Sequence, residues 1–188
     1  MEVREAIQER RARRMFDTRP IEEDKVRLLI EAMRLAPSCN NNQPWRIVVA
    51  NDRESLDKIK VAISRGNAYA KNAPLIFAVC GKYEDDCHLN DRRDYFLFGC
   101  GLAVGEMMLQ ATEIGLIAHS IAGYDPLMVK RNLNIPDDYV LITLVNIAYP
   151  GKDASLLSEK QIEAETTRPE RKPIGDNFFK GSWGNPLD

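Results

Sequence analysis

Three stretches of the chain concentrate side chains able to bind or react. Within QERRARRMF, Arg10, Arg11, Arg13 and Arg14 fall inside five consecutive positions. On a helix Arg10, Arg13 and Arg14 would share one face, because residues three and four apart are neighbours there. Cations crowded in this way repel one another unless an anion sits among them, and the guanidinium fork matches phosphate oxygens two at a time. The same cluster serves equally as a solvated basic face. A second basic group, Arg168, Arg171 and Lys172 in RPERKP, lies at the far end of the chain. The third stretch is APSCNNNQPW, Ala36 to Trp45, with three consecutive Asn and a Gln. Primary amides both donate and accept. They can read a ligand edge that alternates carbonyl and N–H groups, or they can close a polar turn against their own backbone.

Other groupings carry less chemistry. GCGLAVG (99–105) spaces its glycines as G-x-G-x-x-x-G inside a helical pattern with no strand before it, which is not the dinucleotide fingerprint. Its glycines suit close helix packing. Cys80, Cys87 and His88 in CGKYEDDCH lack zinc-ribbon spacing and a second ligand pair, so no metal is expected. His88 and His119 have no evident partners, and no nucleophile triad is visible. Cys100 reads as core; Cys39 is a candidate redox-sensitive thiol, although a small residue suffices at its position.

The elements that must hold these groups follow from periodicity. The chain has 188 residues, 44% hydrophobic and 29% charged, with a net charge of −2. Those values describe an ordinary globular domain and exclude disorder and any global bias toward nucleic acid or membrane. Residues 2–14 are helix-permissive. Val26, Leu29, Ile30, Met33 and Ala36 mark an amphipathic helix that starts on acids and stops at Pro37. RIVVA (46–50), PLIFAVC (74–80), LIAHSIAG (116–123) and YVLITLVNIAY (139–149) read as strands, the last apolar on both faces and therefore central. Helices are expected over DRESLDKIKVAIS, over 93–115, and over DPLMVKRNLN with Asp125 capping. The 93–115 helix is apolar nearly all round from Phe96 to Leu109, so it needs cover on every side, which a partner subunit could supply. Beyond Pro150 the chain reads as polar and irregular. Residues 1–175 are expected to form a single domain and 176–188 a C-terminal extension. The four Cys are even in number, but a chain this long needs no disulfide staples. MEVREAIQERRARRMF lacks the apolar core of a signal peptide and no run is long enough to span a bilayer, so a reducing cytoplasm is the expected location.

RRARRMF, then APSCNNNQPW, then IAG, then RPERKP, in that order, resemble the FMN-dependent nitroreductase family over most of the chain, from Arg10 to about Pro173. The A-P-S-x-x-N-x-Q-P-W element is the most specific part. The resemblance implies an α+β fold with a central mixed or antiparallel sheet flanked by helices, built into an intertwined homodimer with two FMN sites at the subunit interface. By that likeness Arg10 and Arg11 contact the phosphate and ribityl chain, and Arg14 sits at the pyrimidine edge of the flavin. Pro37 and Ser38 reach the flavin of the partner subunit, Asn41 and Gln43 supply the amides, and Asn67 stands at the flavin edge. Ala122 and Gly123 form the backbone pair near flavin N5, and Arg168 and Arg171 hold the phosphate. Ala12 replaces a Ser common in the family, removing one hydrogen bond on the phosphate side, and Ala122 replaces a common Glu.

The implied chemistry is two half-reactions. NAD(P)H passes hydride to the flavin, and a small-molecule acceptor such as a nitroaromatic or quinone then takes the electrons, with Arg14 and Gly123 as the catalytic positions. Arg14 would stabilise negative charge on the reduced ring by oxyanion-hole logic. The alternatives are a flavin-binding store or sensor without efficient turnover, or another chemistry of the same fold, namely dehalogenation or flavin breakdown. Nucleic acid and membrane are not expected partners.

Overall fold

The computed structural model describes residues 1–91 and 93–187. Its centre is a four-stranded, wholly antiparallel sheet in the order β1-β2-β4-β3, formed by β1 (Arg46–Ala50), β2 (Leu75–Gly81), β3 (Ile117–Ile121) and β4 (Val140–Ala148). Val48 pairs with Ala78, Ala78 with Leu144, and His119 with Asn146. β2 and β4 are interior, as their continuous apolar runs require, since neither face of an interior strand under two helical layers meets water.

One face of the sheet is covered by α2 (Glu23–Leu35) and α4 (Phe96–Glu113), where Leu29 and Met33 pack with Cys100, Ala103 and Met107 beneath Phe77 and Val145. The other face is covered by α3 (Arg53–Lys60), a 3-10 stretch over Arg65–Asn72 and α5 (Pro126–Asn132), which bury Ile59, Tyr69 and Val129 against Ile76 and Leu144. The Asp52 carboxylate accepts from Ser55 N and that of Asp125 from Met128 N, so both α3 and α5 start on the capping residues their sequences supply.

Two expectations change. The N-terminal helix α1 spans only Val3–Glu9, and Arg10–Arg14 is not helical. The arginines therefore do not share a helix face. Their backbone is taken by tertiary partners instead: Arg13 O by His119, and the N–H groups of Arg14 and Met15 by Glu165. Beyond Pro150 the chain is not wholly irregular. It forms α6 (Glu159–Thr166), opened by a capping box of Ser158 and Gln161, and a short α7 (Ile174–Asn177). Among the described residues no helix is long and apolar enough to cross a membrane.

α4 leaves Leu97, Phe98, Gly101 and Gly105 exposed, with Phe98 at 57%. An apolar stripe thus faces outward from a helix whose opposite side is core. The segment after α7 folds on itself: Phe179 bridges Pro186 and its ring lies 4.8 Å from that of Trp183, which is 91% exposed.

Candidate functional site

α6 is the element that organises the arginines. It carries Glu165, 4% exposed, whose carboxylate accepts from Arg14 N, from Met15 N at 3.3 Å and from Arg13 Nε at 3.3 Å. One buried carboxylate therefore holds the 14–15 backbone and pairs with the Arg13 guanidinium. Arg11 Nη1 donates to Thr166 O at 2.8 Å, at the end of the same helix. Arg168 Nη2 donates back to Gln8 O and Arg10 O, placing a cation where the terminal carbonyls of α1 need donors.

These contacts bring both basic clusters to one place. Arg10, Arg11, Arg14, Arg168 and Arg171 line a cleft of about 180 Å3 that adjoins a larger one of about 590 Å3, with Arg10, Arg11 and Arg168 common to both. Burial, then Arg168 and Arg171, hold the Arg10 guanidinium below its ordinary value. Among the described residues neither Arg10 nor Arg171 makes an ion pair. Arg14 Nε is buried with no hydrogen-bond partner, and its guanidinium stands 5.7 Å from the Tyr69 ring centroid. An unpartnered buried donor among massed cations is the environment an anionic ligand satisfies.

A line of polar groups in contact connects this cleft to the 122–123 backbone. His119 Nδ1 lies 2.9 Å from Arg13 O and must donate to it, which leaves Nε2 facing the Tyr69 hydroxyl at 3.4 Å. Tyr69 donates to Asn67 Oδ1 at 3.0 Å, and Asn67 Nδ2 donates to Gly123 O at 3.2 Å. Burial pushes His119 below its ordinary value and Tyr69 above its own. Gly123 lets the backbone approach closely here: a Cβ would crowd Asn67 Nδ2 and stand 2.7 Å from Ser64 Oγ, so both side chains would have to shift. Ala122 is exposed beside it. Arg10, Arg11, Arg14, Arg168, Arg171, Asn67, Ala122 and Gly123 thus belong to one region. His119 has the partners its sequence context did not reveal.

Pro37, Ser38, Asn41 and Gln43 sit elsewhere. Their loop lies between α2 and β1 and lines neither arginine cleft. Asn40, Asn41 and Gln43 take left-handed backbone angles (φ 48°, 58° and 49°), which Asn tolerates better than most side chains. Ser38 Oγ accepts from Gln43 N at 2.9 Å, and Gln43 Nε2 donates to Asn41 O at 3.1 Å. A disulfide joins Cys39 to Cys87, so Cys39 does more than fill a position where a small residue suffices, and the chain carries a disulfide that its length does not require. The sequence grouping of Cys80, Cys87 and His88 does not assemble: Cys80 is buried within β2, and His88 stacks on Tyr83 at 4.6 Å.

Glu165, Tyr69 and His119 were missed as site residues. Tyr69 lies two positions after Asn67, and Glu165 three before Arg168, but nothing in the sequence distinguished them from surface residues.

A model of the Nitroreductase family matches residues 7–79. The chain is 28% identical over 158 residues, 81% of its length and 80% of the other's, to a Methanothermobacter thermautotrophicus protein carrying the provisional name NADH dehydrogenase/NAD(P)H nitroreductase. It is 30% identical over 137 residues to an uncharacterised 15.4 kDa protein of Mycolicibacterium smegmatis, covering 71% of this chain and 88% of that one. A crystal structure described as an oxidoreductase containing FMN superposes with a TM-score of 0.83 at 27% identity, covering 96% of this chain and 92% of that one.

Proposed function

The chain belongs to the nitroreductase family, and from that premise we propose that it is an FMN-dependent oxidoreductase, reduced by NAD(P)H and reoxidised by a nitroaromatic, quinone or related small acceptor. The observation that carries the reading is the convergence of Arg10, Arg14, Arg168 and Arg171 from opposite ends of the chain on one cleft, with Arg14 Nε left unpartnered. That donor set fits the doubly charged phosphate and the electron-rich ring edge of FMN.

Bound there, FMN supplies hydride acceptance and donation at its ring. Arg10, Arg168 and Arg171 would hold the phosphate, and Arg11 would serve the ribityl chain. Arg14, aimed by the Glu165 clamp on its own backbone, would place positive charge at the pyrimidine edge and stabilise negative charge there without reorganising. Asn67 is oriented by Tyr69 and fixes the 122–123 backbone, which would lie beside the ring. The partner subunit completes the site with Pro37, Ser38, Asn41 and Gln43. This assignment accounts for two features of the single chain: the amide loop lies apart from its own arginines, and α4 exposes an apolar stripe for a seam. Residues 1–175 are the flavin-binding domain, and 176–188 an extension that docks on the partner.

The experiment is an absorption spectrum of the purified protein, followed by anaerobic NADH or NADPH and then a nitroaromatic. Flavin bands that bleach with one nicotinamide and return with the acceptor are expected. A colourless protein that takes up no added FMN overturns the cofactor assignment. Yellow protein that neither nicotinamide bleaches overturns the reductase assignment.

A further inference from the structure

The amide-rich loop has an occupation that flavin binding does not use. Asn40 Nδ2 and Asn42 Nδ2 both donate to Cys87 Sγ at 3.6 Å, and Asn42 Nδ2 also donates to Asp86 Oδ1 at 3.2 Å. Asp86 is 8% exposed, and its Oδ2 is buried without a hydrogen-bond partner. Cys39 Sγ, Cys87 Sγ and an Asp86 carboxylate oxygen lie within 4.8 Å of one another. A buried, half-satisfied carboxylate beside a cysteine pair is costly unless a cation or donor meets it in another state of the molecule.

We propose that Cys39, Cys87 and Asp86 are a redox-gated site for a thiophilic divalent cation of the zinc class. The disulfide is its closed, metal-free state. Reduced, the two sulfurs and the carboxylate supply three donors of the kind zinc selects and leave one coordination position for water or a small ligand. Metal–sulfur bonds of about 2.3 Å and a metal–oxygen bond of about 2.0 Å put tetrahedral donor atoms roughly 3.5 Å apart. The Cys39–Cys87 Cα separation of 6.3 Å accommodates this once the sulfurs part.

The chemistry balances at each stage. A phosphine reductant and water convert the disulfide to two thiols and phosphine oxide. Binding then exchanges two thiol protons for one M2+. A small-molecule disulfide reverses it, taking two electrons from the bound thiolates, restoring the Cys39–Cys87 bond and releasing M2+ with two small thiolates. The remaining cysteines are unsuited: burial pushes the Cys80 thiol up to about 11 and, with Asp86 adding to it, the Cys100 thiol up to about 12.

This inference stands independently of the flavin reading, and its test needs no turnover. The full chain is divided into oxidised and phosphine-reduced samples, incubated with excess zinc under argon, gel-filtered and assayed for metal. Reduced protein is expected to retain one zinc per chain and oxidised protein none. Oxidised glutathione should expel the metal while the disulfide reforms by mass spectrometry. Cys87→Ser should abolish retention, and Asp86→Asn should weaken zinc affinity at least tenfold with an unchanged circular dichroism spectrum. Reduced wild type that retains no stoichiometric zinc overturns the site, as does a folded Asp86→Asn with wild-type affinity. Retention that survives Cys87→Ser overturns it equally.

Discussion

Arg14 has two separable tasks, because its backbone N–H is clamped by Glu165 while its guanidinium lies by Tyr69 with one buried donor free. Arg14→Ala keeps the clamp and removes the charge. Stopped-flow measurement should show flavin reduction slowed at least tenfold with a smaller loss of FMN affinity, the magnitude expected for one preorganised donor. Glu165→Ala does the opposite. It strands the N–H groups of Arg14 and Met15 and should cost about 2 kcal/mol or more in urea unfolding, with FMN binding weakened in parallel. His119 supplies a pH signature. Burial holds it below its ordinary value of 6.5, with the Arg14 and Arg10 charges acting in the same direction and Glu165 and the Arg13 carbonyl opposing. The folded chain thus binds fewer protons than the unfolded chain just below that value. Its contribution to stability is complete above the ordinary value and is lost as pH falls through the lower folded-state value. Unfolding free energies measured stepwise on the acid side of neutrality should fall for the wild type, and His119→Gln should flatten that limb.

At the scale of elements, α4 and α6 decide what the site becomes. α4 buries Phe96, Cys100, Ala103 and Met107 and leaves Leu97, Phe98 and Gly101 outside. A Cβ at Gly101 would meet nothing within 4 Å, so Gly101→Glu adds a charge to the stripe without disturbing the core. Light scattering should find wild type as a dimer and Gly101→Glu shifted to monomer with flavin affinity reduced. A dimeric variant would remove α4 from the seam. The sequence marked α4 by its all-round apolarity and β4 as central for the same reason, because a long uninterrupted apolar run has few places to go. α6 escaped notice. Its EKQIEAET is short and charged, and its value lies in one glutamate whose partners are 150 residues away.

For the whole molecule, the extension after Gly175 is held chiefly by itself, through Leu187 N donating to Phe178 O and Phe179 bridging Pro186. Removing residues 176–188 should leave the monomer core's unfolding transition in place, as few core contacts are lost, while weakening the dimer, read by sedimentation at decreasing concentration. Local pattern alone determined the strands, the paired helices and the two charged clusters, because periodicity, caps and proline stops act within a few residues of chain. The amide loop was legible as an unusual polar connection, though its three left-handed residues and its grip on Cys87 were not. Only tertiary structure could join Arg10 to Arg168, set Glu165 beneath Arg14, thread His119 to Gly123 through Tyr69 and Asn67, and pair Cys39 with Cys87. Those contacts cross tens to more than a hundred residues, and no local preference encodes which distant group a folded backbone will bring to a given atom.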